Sequence, residues 1–201
     1  MSPRVFLIRH ADATEGPKDP DRGRHLSAIG QRQAQALARR LANWQIDAIV
    51  SSDMYRARET AAAVHSFHPN VPLIVDATFR EVSGRTLAAF EREEPARLEA
   101  AWEKIVTLPY GVTVLITHNG LIKYLLGRTI EYEASLRPRF HSSHTGITAI
   151  QVRPKGRALI QFFNDTHHLS PDLVLEKTLW LEDAETGRWH FGPDDDPDPR
   201  A

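Results

Sequence analysis

Short apolar runs recur along the chain, and each is followed by polar residues or by a stretch with apolar residues at helical spacing. Runs of this length that are rich in valine, isoleucine and leucine are typical of strands buried on both faces, as in a parallel sheet. The predicted strands are Val5–Ile8, Ile46–Val50, Pro72–Val75 and Val112–Ile116.

Helices are predicted between these strands. Ser27 is a favourable N-cap residue, and apolar residues from Ala34 to Leu41 repeat at helical spacing after it. The other predicted helices are Met54–Phe67, the charged stretch Thr86–Val106, which Pro95 can break, and Leu121–Leu126. Alternation of strands and helices predicts an α/β fold with a mostly parallel sheet, whose functional crevice lies beyond the carboxyl ends of the strands.

The pattern changes towards the end of the chain. Thr145–Val152 and Ala158–Phe163 resemble strands, and the Pro154-Lys155-Gly156 segment between them predicts a hairpin turn. The last residues, Gly192–Ala201, are rich in aspartate and proline, which predicts disorder. We therefore expect a single domain over residues 1–190 and a disordered acidic, proline-rich tail over residues 191–201.

Composition narrows the classes of function. The chain has 201 residues, 41% of them hydrophobic, which is enough for a sizeable core. A net charge of −1 with no basic run argues against a nucleic-acid partner. The apolar runs are too short for a membrane span or a signal peptide, and the absence of cysteine excludes thiol catalysis. We expect a cytoplasmic protein with no membrane partner, and the oligomeric state stays open.

Polar residues with phosphate chemistry follow the predicted strands. Arg9-His10, Ser51-Ser52-Asp53 and Thr117-His118 each come directly after one. An imidazole with an unprotonated ring nitrogen can attack phosphorus, and a guanidinium can bind two phosphoryl oxygens together. Arg56 falls in the first turn of the second helix, where the free N–H groups attract anions. Arg58 points to another face, and we interpret it as a solvated charge.

These motifs occur in the order typical of the histidine phosphatase superfamily, the phosphoglycerate-mutase-like group, which the chain resembles over residues 4–170. The resemblance is carried by Arg9-His10, by Ser51–Ala61 with Arg56, and by Thr117-His118-Asn119-Gly120. It extends to the helix start at Leu26-Ser27 and to the late segments Thr145–Thr148 and Asn164–Leu169. It implies a three-layer fold with helices on both faces of a mostly parallel central sheet.

The resemblance also implies roles. His10 would carry the phosphoryl group, and Arg9, Arg56 and His118 would bind it. Glu81 matches the place of the acid that protonates the leaving group and then activates water. The glycine that usually follows this acid by four residues is Gly84, three residues on. Reserve candidates for the acid, from the first loop, are Asp12 and Glu15.

Two departures from the family pattern lie beside the histidines. Ala11 stands where a glycine commonly follows the first histidine, and Asn119 follows the second. The Arg-His-Ala-Asp-Ala loop resembles the short phosphohistidine phosphatases, and Arg24 is similar to an arginine on the phosphate side of that branch. Arg24 is therefore a secondary substrate-binding candidate.

No metal or other cofactor is expected, because guanidinium and imidazole groups can neutralise the phosphate themselves. The other histidines are interpreted as structural or surface residues, with one of His141 or His144 as a candidate for substrate contact. The predicted helix Thr86–Val106 follows Glu81 directly, which suggests a lid over the site.

The resulting hypothesis is a metal-independent phosphatase that hydrolyses a phosphomonoester or a protein phosphohistidine through a phosphohistidine intermediate on His10. The substrate would be a phosphorylated small molecule or a phosphoprotein. Two alternatives stay open. One is a phosphotransferase of the phosphoglycerate mutase type, and the other is a non-catalytic module that binds phosphate or a partner on the same fold.

Overall fold

The computed structural model describes residues 2–14, 23–82, 95–130 and 141–175, together with the backbone of residues 180–182 and 189–191. The described helices are α1 (Ala28–Leu41), α2 (Tyr55–His65), α3 (Pro95–Thr107) and α4 (Asn119–Thr129). The described strands are β1 (Arg4–Arg9), β2 (Ala48–Ser51), β3 (Leu73–Val75), β4 (Val112–Thr117), β5 (Ile147–Arg153), β6 (Arg157–Asp165), β7 (Trp180–Glu182) and β8 (Trp189–Phe191).

The main sheet has six strands in the order β3-β2-β4-β1-β5-β6. The first four strands of the chain run parallel to one another, whereas β5 and β6 are antiparallel additions at one edge. A separate antiparallel pair joins β7 to β8. The prediction of a mostly parallel sheet is confirmed.

Helices cover both faces of this sheet. Alternate residues of β1 point to opposite faces: Val5 and Leu7 pack in the core shared with α3 and α4, whereas Phe6 and Ile8 pack in the core shared with α1 and α2. All four side chains are buried, so β1 reads as a continuous apolar run. This arrangement is the expected three-layer fold.

The start of α1 packs directly on the loop that follows His10. Ser27 caps the helix as predicted, with its hydroxyl oxygen accepting a hydrogen bond from the Gly30 N–H at 2.9 Å. A Cβ added at Gly30 would lie 2.0 Å from the carbonyl oxygen of Asp12. Only glycine fits this contact, which fixes the first loop against the helix.

The hairpin is also confirmed, since β5 and β6 flank a turn in which Lys155 and Gly156 have φ of +64° and +67°. Two successive residues with positive φ match the right-handed twist of a hairpin. The long predicted helix is described only from Pro95 onwards, as α3, and residues 83–94 lie outside the described residues. The proposed lid therefore stays a prediction.

The predicted tail begins at Phe191, which ends β8, and residues 192–201 lie outside the described residues. Its disorder and the single-domain boundary stay predictions. Within the described ranges, none of the helices has the length and apolar character needed to cross a bilayer.

Candidate active site

The carboxyl ends of β1 and β4 bring the two predicted histidines together. The parallel register pairs Arg9 with Thr117, and the His10 N–H donates to the Thr117 carbonyl at 2.8 Å. The next residue on each strand is a histidine, and the His10 and His118 ring centroids are 5.0 Å apart. Both side chains are buried, so the convergence expected from the strand ends is confirmed.

The hydrogen bonds of His10 fix its tautomer. Its Nδ1 lies 2.7 Å from the Ala11 carbonyl oxygen, which can only accept, so Nδ1 carries the proton. Its Nε2 accepts a hydrogen bond from Arg56 Nε at 2.9 Å and therefore has a lone pair. Burial, followed by electrostatic interaction with His118 and with the Arg56 guanidinium, holds the pKa of His10 well below its usual value. His10 is thus a neutral imidazole with its Nε2 lone pair facing a guanidinium.

Arg56 links the two histidines from the first turn of α2, where it is buried. Its Nη2 donates to His118 Nδ1 at 3.1 Å, so the proton of His118 is on Nε2, which donates to Ser52 Oγ at 2.9 Å. Burial and the charges of Arg56 and Arg9 hold the pKa of His118 well below its usual value. His118 is therefore also neutral, and its orientation is fixed at both ring nitrogens.

Two further arginines, Arg9 and Arg24, lie near Arg56. Arg9, at the end of β1, donates from Nη1 to the Ser142 carbonyl at 2.8 Å. Arg24 is half-buried. Burial of Arg56 lowers the pKa of Arg56, the Glu81 carboxylate opposes this effect, and the charge of Arg24 lowers that pKa further. The backbone at Gly23, where φ is +76°, approaches so closely that an added Cβ would lie 2.9 Å from Arg56 Nη1. The predicted secondary candidate thus lies at the edge of the same cationic pocket.

Glu81 contributes the acidic group of the pocket. It lies just before residues 83–94, which are outside the described residues. Its Oε1 accepts hydrogen bonds from the backbone N–H groups of Val82 and Gly120, both at 3.0 Å. Burial of the carboxyl raises the pKa of Glu81, although these hydrogen bonds and the charges of Arg56 and Arg9 act in the opposite direction. The carboxyl group can therefore hold a proton close to the cationic cluster.

The backbone before Glu81 is fixed by Arg97 of α3. Arg97 Nη1 donates to the carbonyls of Thr78 and Arg80, each at 2.9 Å, and Nη2 donates to the carbonyl of Glu81 at 3.2 Å. Arg97 carries no motif, so sequence reasoning had no signal for it.

Other residues without a predicted role support the first loop. Thr60 Oγ1 accepts from the Ala11 N–H at 3.0 Å and donates to the Arg56 carbonyl at 2.7 Å. Ser52, which holds His118, stands at a strand end that the sequence did single out. Both residues lie inside the Ser51–Ala61 motif, which was the available signal.

The structure describes Asp12 but not Glu15, the two reserve candidates for the acid. The Asp12 carboxylate accepts a hydrogen bond from the Ser27 hydroxyl, so it is committed to the start of α1. Glu15 lies outside the described residues. Arg58 is exposed, in agreement with its interpretation as a solvated charge.

Several other histidines have structural partners, as expected. His65 and His68 bond the carbonyls of Val71 and Leu41. Among the residues that the structure describes, no group of three or more histidine, aspartate or glutamate side chains is placed to hold a metal ion.

For the phosphatase that the sequence predicts, replacing Gly120 with alanine is expected to lower kcat/KM for an alkyl phosphate by about 10- to 100-fold. A Cβ at this position would lie 2.6 Å from Glu81 Oε1, so the carboxylate must turn away. Steady-state hydrolysis of glycerol phosphate measures the effect. Gly127→Ala, on the same helix, is the matched control because its Cβ would meet no atom within 4 Å. Equal activities of the two variants would contradict the placement of Glu81.

The chain is similar to a histidine phosphatase family model and to several proteins named as phosphatases. The family model described as histidine phosphatase superfamily (branch 1) matches residues 5–96 and 91–166. A mitochondrial serine/threonine-protein phosphatase, Pgam5 of Caenorhabditis briggsae, is 28% identical over 193 residues, which cover 86% of this chain and 66% of that protein. The chain thus spans slightly less than two thirds of the Pgam5 protein. The probable phosphatase C1687.21 of Schizosaccharomyces pombe is 27% identical over 201 residues, with coverage of 84% and 96%.

Solved structures share the fold at lower identity. Bacillus stearothermophilus YhfR superposes with a TM-score of 0.68 at 21% identity, covering 84% of this chain and 100% of that chain. The phosphoserine phosphatase of Entamoeba histolytica gives a TM-score of 0.63 at 20% identity, covering 84% and 100%. Together with the family model, which matches well over half of the residues, these results lead to one conclusion: the chain belongs to the histidine phosphatase superfamily.

Proposed function

We propose that this chain is a phosphatase that hydrolyses a phosphorylated substrate through a phosphohistidine on His10 and needs no metal ion. The observation that supports this most strongly is the fixed tautomer of His10, whose Nε2 lone pair lies 2.9 Å from a guanidinium nitrogen. A buried, neutral imidazole held at its other nitrogen is ready to act as a nucleophile. The guanidinium beside it can neutralise the phosphoryl oxygens.

In the first step, His10 Nε2 attacks phosphorus, an N–P bond forms, and the bond from phosphorus to the substrate oxygen breaks. Glu81 in its protonated form gives its proton to that leaving oxygen. Arg56 exchanges its hydrogen bond to Nε2 for bonds to the phosphoryl oxygens, where Arg9 joins it, while His118 Nδ1 keeps Arg56 Nη2 in position. Because little covalent assistance is needed in phosphoryl transfer, positioning and charge supply most of the catalysis.

In the second step, the Glu81 carboxylate takes a proton from water as the water oxygen attacks phosphorus. The N–P bond breaks, its electron pair returns to Nε2, and inorganic phosphate leaves. Glu81 is then protonated and His10 neutral, as at the start. The raised pKa of Glu81 and the lowered pKa of His10 support these two protonation states.

The substrate class is a phosphorylated protein or small molecule. The Pgam5 relatives are named as serine/threonine-protein phosphatases, which supports a protein substrate, and phosphohistidine stays a further candidate. A cytoplasmic location also stays a prediction, because those relatives are described as mitochondrial. The buried acid held by Gly120 supports hydrolysis over a binding module without chemistry.

Hydrolysis of para-nitrophenyl phosphate in the presence of EDTA tests the proposal. We expect release of inorganic phosphate and, after rapid acid-free quenching, a phosphoenzyme that survives alkali and is lost in acid, as a phosphoramidate is. Turnover that EDTA abolishes, or a phosphoenzyme stable in acid, would contradict it. Return of the phosphoryl group to the organic product, in place of inorganic phosphate release, would indicate the mutase alternative.

The pH dependence of kcat/KM is expected to be bell-shaped. Activity should rise with pH as His10 loses its proton, at a pH below the usual histidine pKa, because burial lowers the pKa of His10. Activity should fall again as Glu81 loses its proton, at a pH above the usual glutamate pKa, because burial raises the pKa of Glu81. Because His10 and Glu81 interact, each limb of the pH profile reports the two groups together. A variant of one group is needed to assign each limb to a residue.

Glu81→Gln is the variant that makes the assignment, and we expect it to remove the alkaline limb. The loss in kcat/KM should be about 10²- to 10³-fold for glycerol phosphate and smaller for para-nitrophenyl phosphate, whose leaving group needs little protonation. Glu99→Gln, on α3, is a control at an exposed carboxylate that pairs with Arg128. An equal loss with both substrates would mean that Glu81 is not the general acid.

A further inference from the structure

The segment from Ser142 to Gly146 lies against the nucleophile-bearing strand and is bonded to Arg9 at two points. The Ser142 carbonyl accepts from Arg9 Nη1 at 2.8 Å, and the Thr145 N–H donates to the Arg9 carbonyl at 3.0 Å. This segment, called the wall below, is therefore fixed to the strand end next to His10.

This wall contains a strained turn. The Gly146 N–H donates to the Ser143 carbonyl at 2.9 Å, which places His144 and Thr145 at the centre of the turn. Thr145 has φ of +58°, a left-handed conformation that is costly for a β-branched residue. Its side chain is completely buried, so the surrounding structure enforces the conformation.

Hydrogen bonds from other segments hold the turn in place. Thr145 Oγ1 accepts from His168 Nε2 at 3.0 Å, and Asn164 Oδ1 accepts from the Ser143 N–H at 2.9 Å. A Cβ at Gly146 would lie 2.1 Å from Asn164 Oδ1, so only glycine fits there. Asn164 itself has φ of +54°. Asparagine adopts this left-handed conformation readily, so the strain lies at Thr145, and a strained residue with an obligatory glycine is more than a simple connection to β5 requires.

The side chain presented by this turn is His144. Its ring centroid lies 5.6 Å from that of His10, with the planes inclined by 50°. On this measure His144 is almost as close to the nucleophile as His118, whose centroid lies at 5.0 Å. His144 is half-buried, so part of its surface is open to solvent. The two steps proposed above make no use of it.

We propose that His144 contacts the substrate, donating a ring N–H to a nonbridging oxygen of the phosphoryl group as that group moves to His10. This role rests on the proposed phosphatase function. It explains why strain is kept at Thr145: the left-handed residue turns the preceding side chain towards the nucleophile. A directional donor from the wall complements the guanidiniums, which supply most of the charge.

Two substitutions at this position test the role. We expect His144→Ala to lower kcat/KM for para-nitrophenyl phosphate by about 10- to 100-fold, mainly in kcat, and to weaken inhibition by orthovanadate in parallel. His144→Gln keeps an N–H donor and should retain more activity and tighter orthovanadate binding than the alanine variant. His167→Gln is the matched control, since its side chain is 92% exposed. Thermal unfolding shows whether each variant is folded.

The outcomes separate this role from the proposed function. Wild-type activity in folded His144→Ala would overturn the contact, as would equal losses in the alanine and glutamine variants with unchanged orthovanadate inhibition. If the wild type itself lacks activity, the proposed function fails instead. Calorimetric titration with inorganic phosphate then still tests His144, because the alanine variant should bind phosphate more weakly than wild type, and equal binding would overturn the contact.

Discussion

Replacement of His10 by alanine is expected to reduce kcat/KM for para-nitrophenyl phosphate by at least about 10⁴-fold. The variant lacks the atom that accepts the phosphoryl group, and no other described imidazole is held by a backbone carbonyl with its free nitrogen facing Arg56. His118 cannot substitute, because Ser52 and Arg56 occupy both of its ring nitrogens. Steady-state hydrolysis, with active-site phosphorylation followed by mass spectrometry, measures both rate and intermediate.

His167→Ala is the control for this substitution, since it removes an imidazole whose side chain is 92% exposed. It should hydrolyse the substrate at the wild-type rate and form the same phosphoenzyme. A His10→Ala enzyme that still forms a phosphoenzyme would place the nucleophile elsewhere. Phosphate binding to the variant, measured by calorimetry, should survive, because the arginines remain.

Arg56→Lys is expected to lower kcat/KM by about 10³-fold although the charge is kept. The guanidinium fork reaches two partners at once, His10 Nε2 through Nε and His118 Nδ1 through Nη2. A lysine has a single nitrogen and cannot span both positions, so His118 loses its orientation and the phosphoryl group loses bidentate binding. Measuring kcat/KM at several pH values distinguishes this loss from one caused by a change in the pKa of His10.

Arg58→Lys provides the comparison, because Arg58 lies on the same helix two residues away and is exposed. We expect wild-type kinetics from it. The free energy of unfolding of both variants, from urea titration, shows whether the Arg56 effect comes from lost stability. A folded Arg56→Lys enzyme within about tenfold of wild-type activity would mean that charge alone is sufficient at this site.

The strand ends were sufficient to predict that His10 and His118 converge, and the family resemblance added Arg56 to the same pocket. Parallel strands end at one edge of a sheet, and a helix that follows a strand begins at that same edge. These three residues occupy such positions, so local patterns place all three at the same edge of the sheet. The close approach of the two histidines also depends on β1 and β4 being neighbours in the sheet, which the sequence did not show.

Arg97 and the turn at His144 could not be predicted in the same way. Arg97 reaches the carbonyls before Glu81 only because α3 packs against that segment, and nothing in its local sequence differs from a solvated helical arginine. The strain at Thr145 is invisible in the sequence, because threonine is not a residue that turn patterns favour at positive φ. Contacts between distant segments determine both features.

The strand order also constrains how the protein is made. β1, which ends next to His10, lies between β4 and β5, so it is synthesised before the other strands of this sheet but is paired late. Its first partner begins at Val112, about 100 residues further along the chain, which takes about 5 to 20 s to synthesise at typical rates. During that interval β2 and β3 can pair, but β1 remains an unpaired apolar segment. Until β4 has been translated, this apolar segment is open to aggregation or to binding by a chaperone.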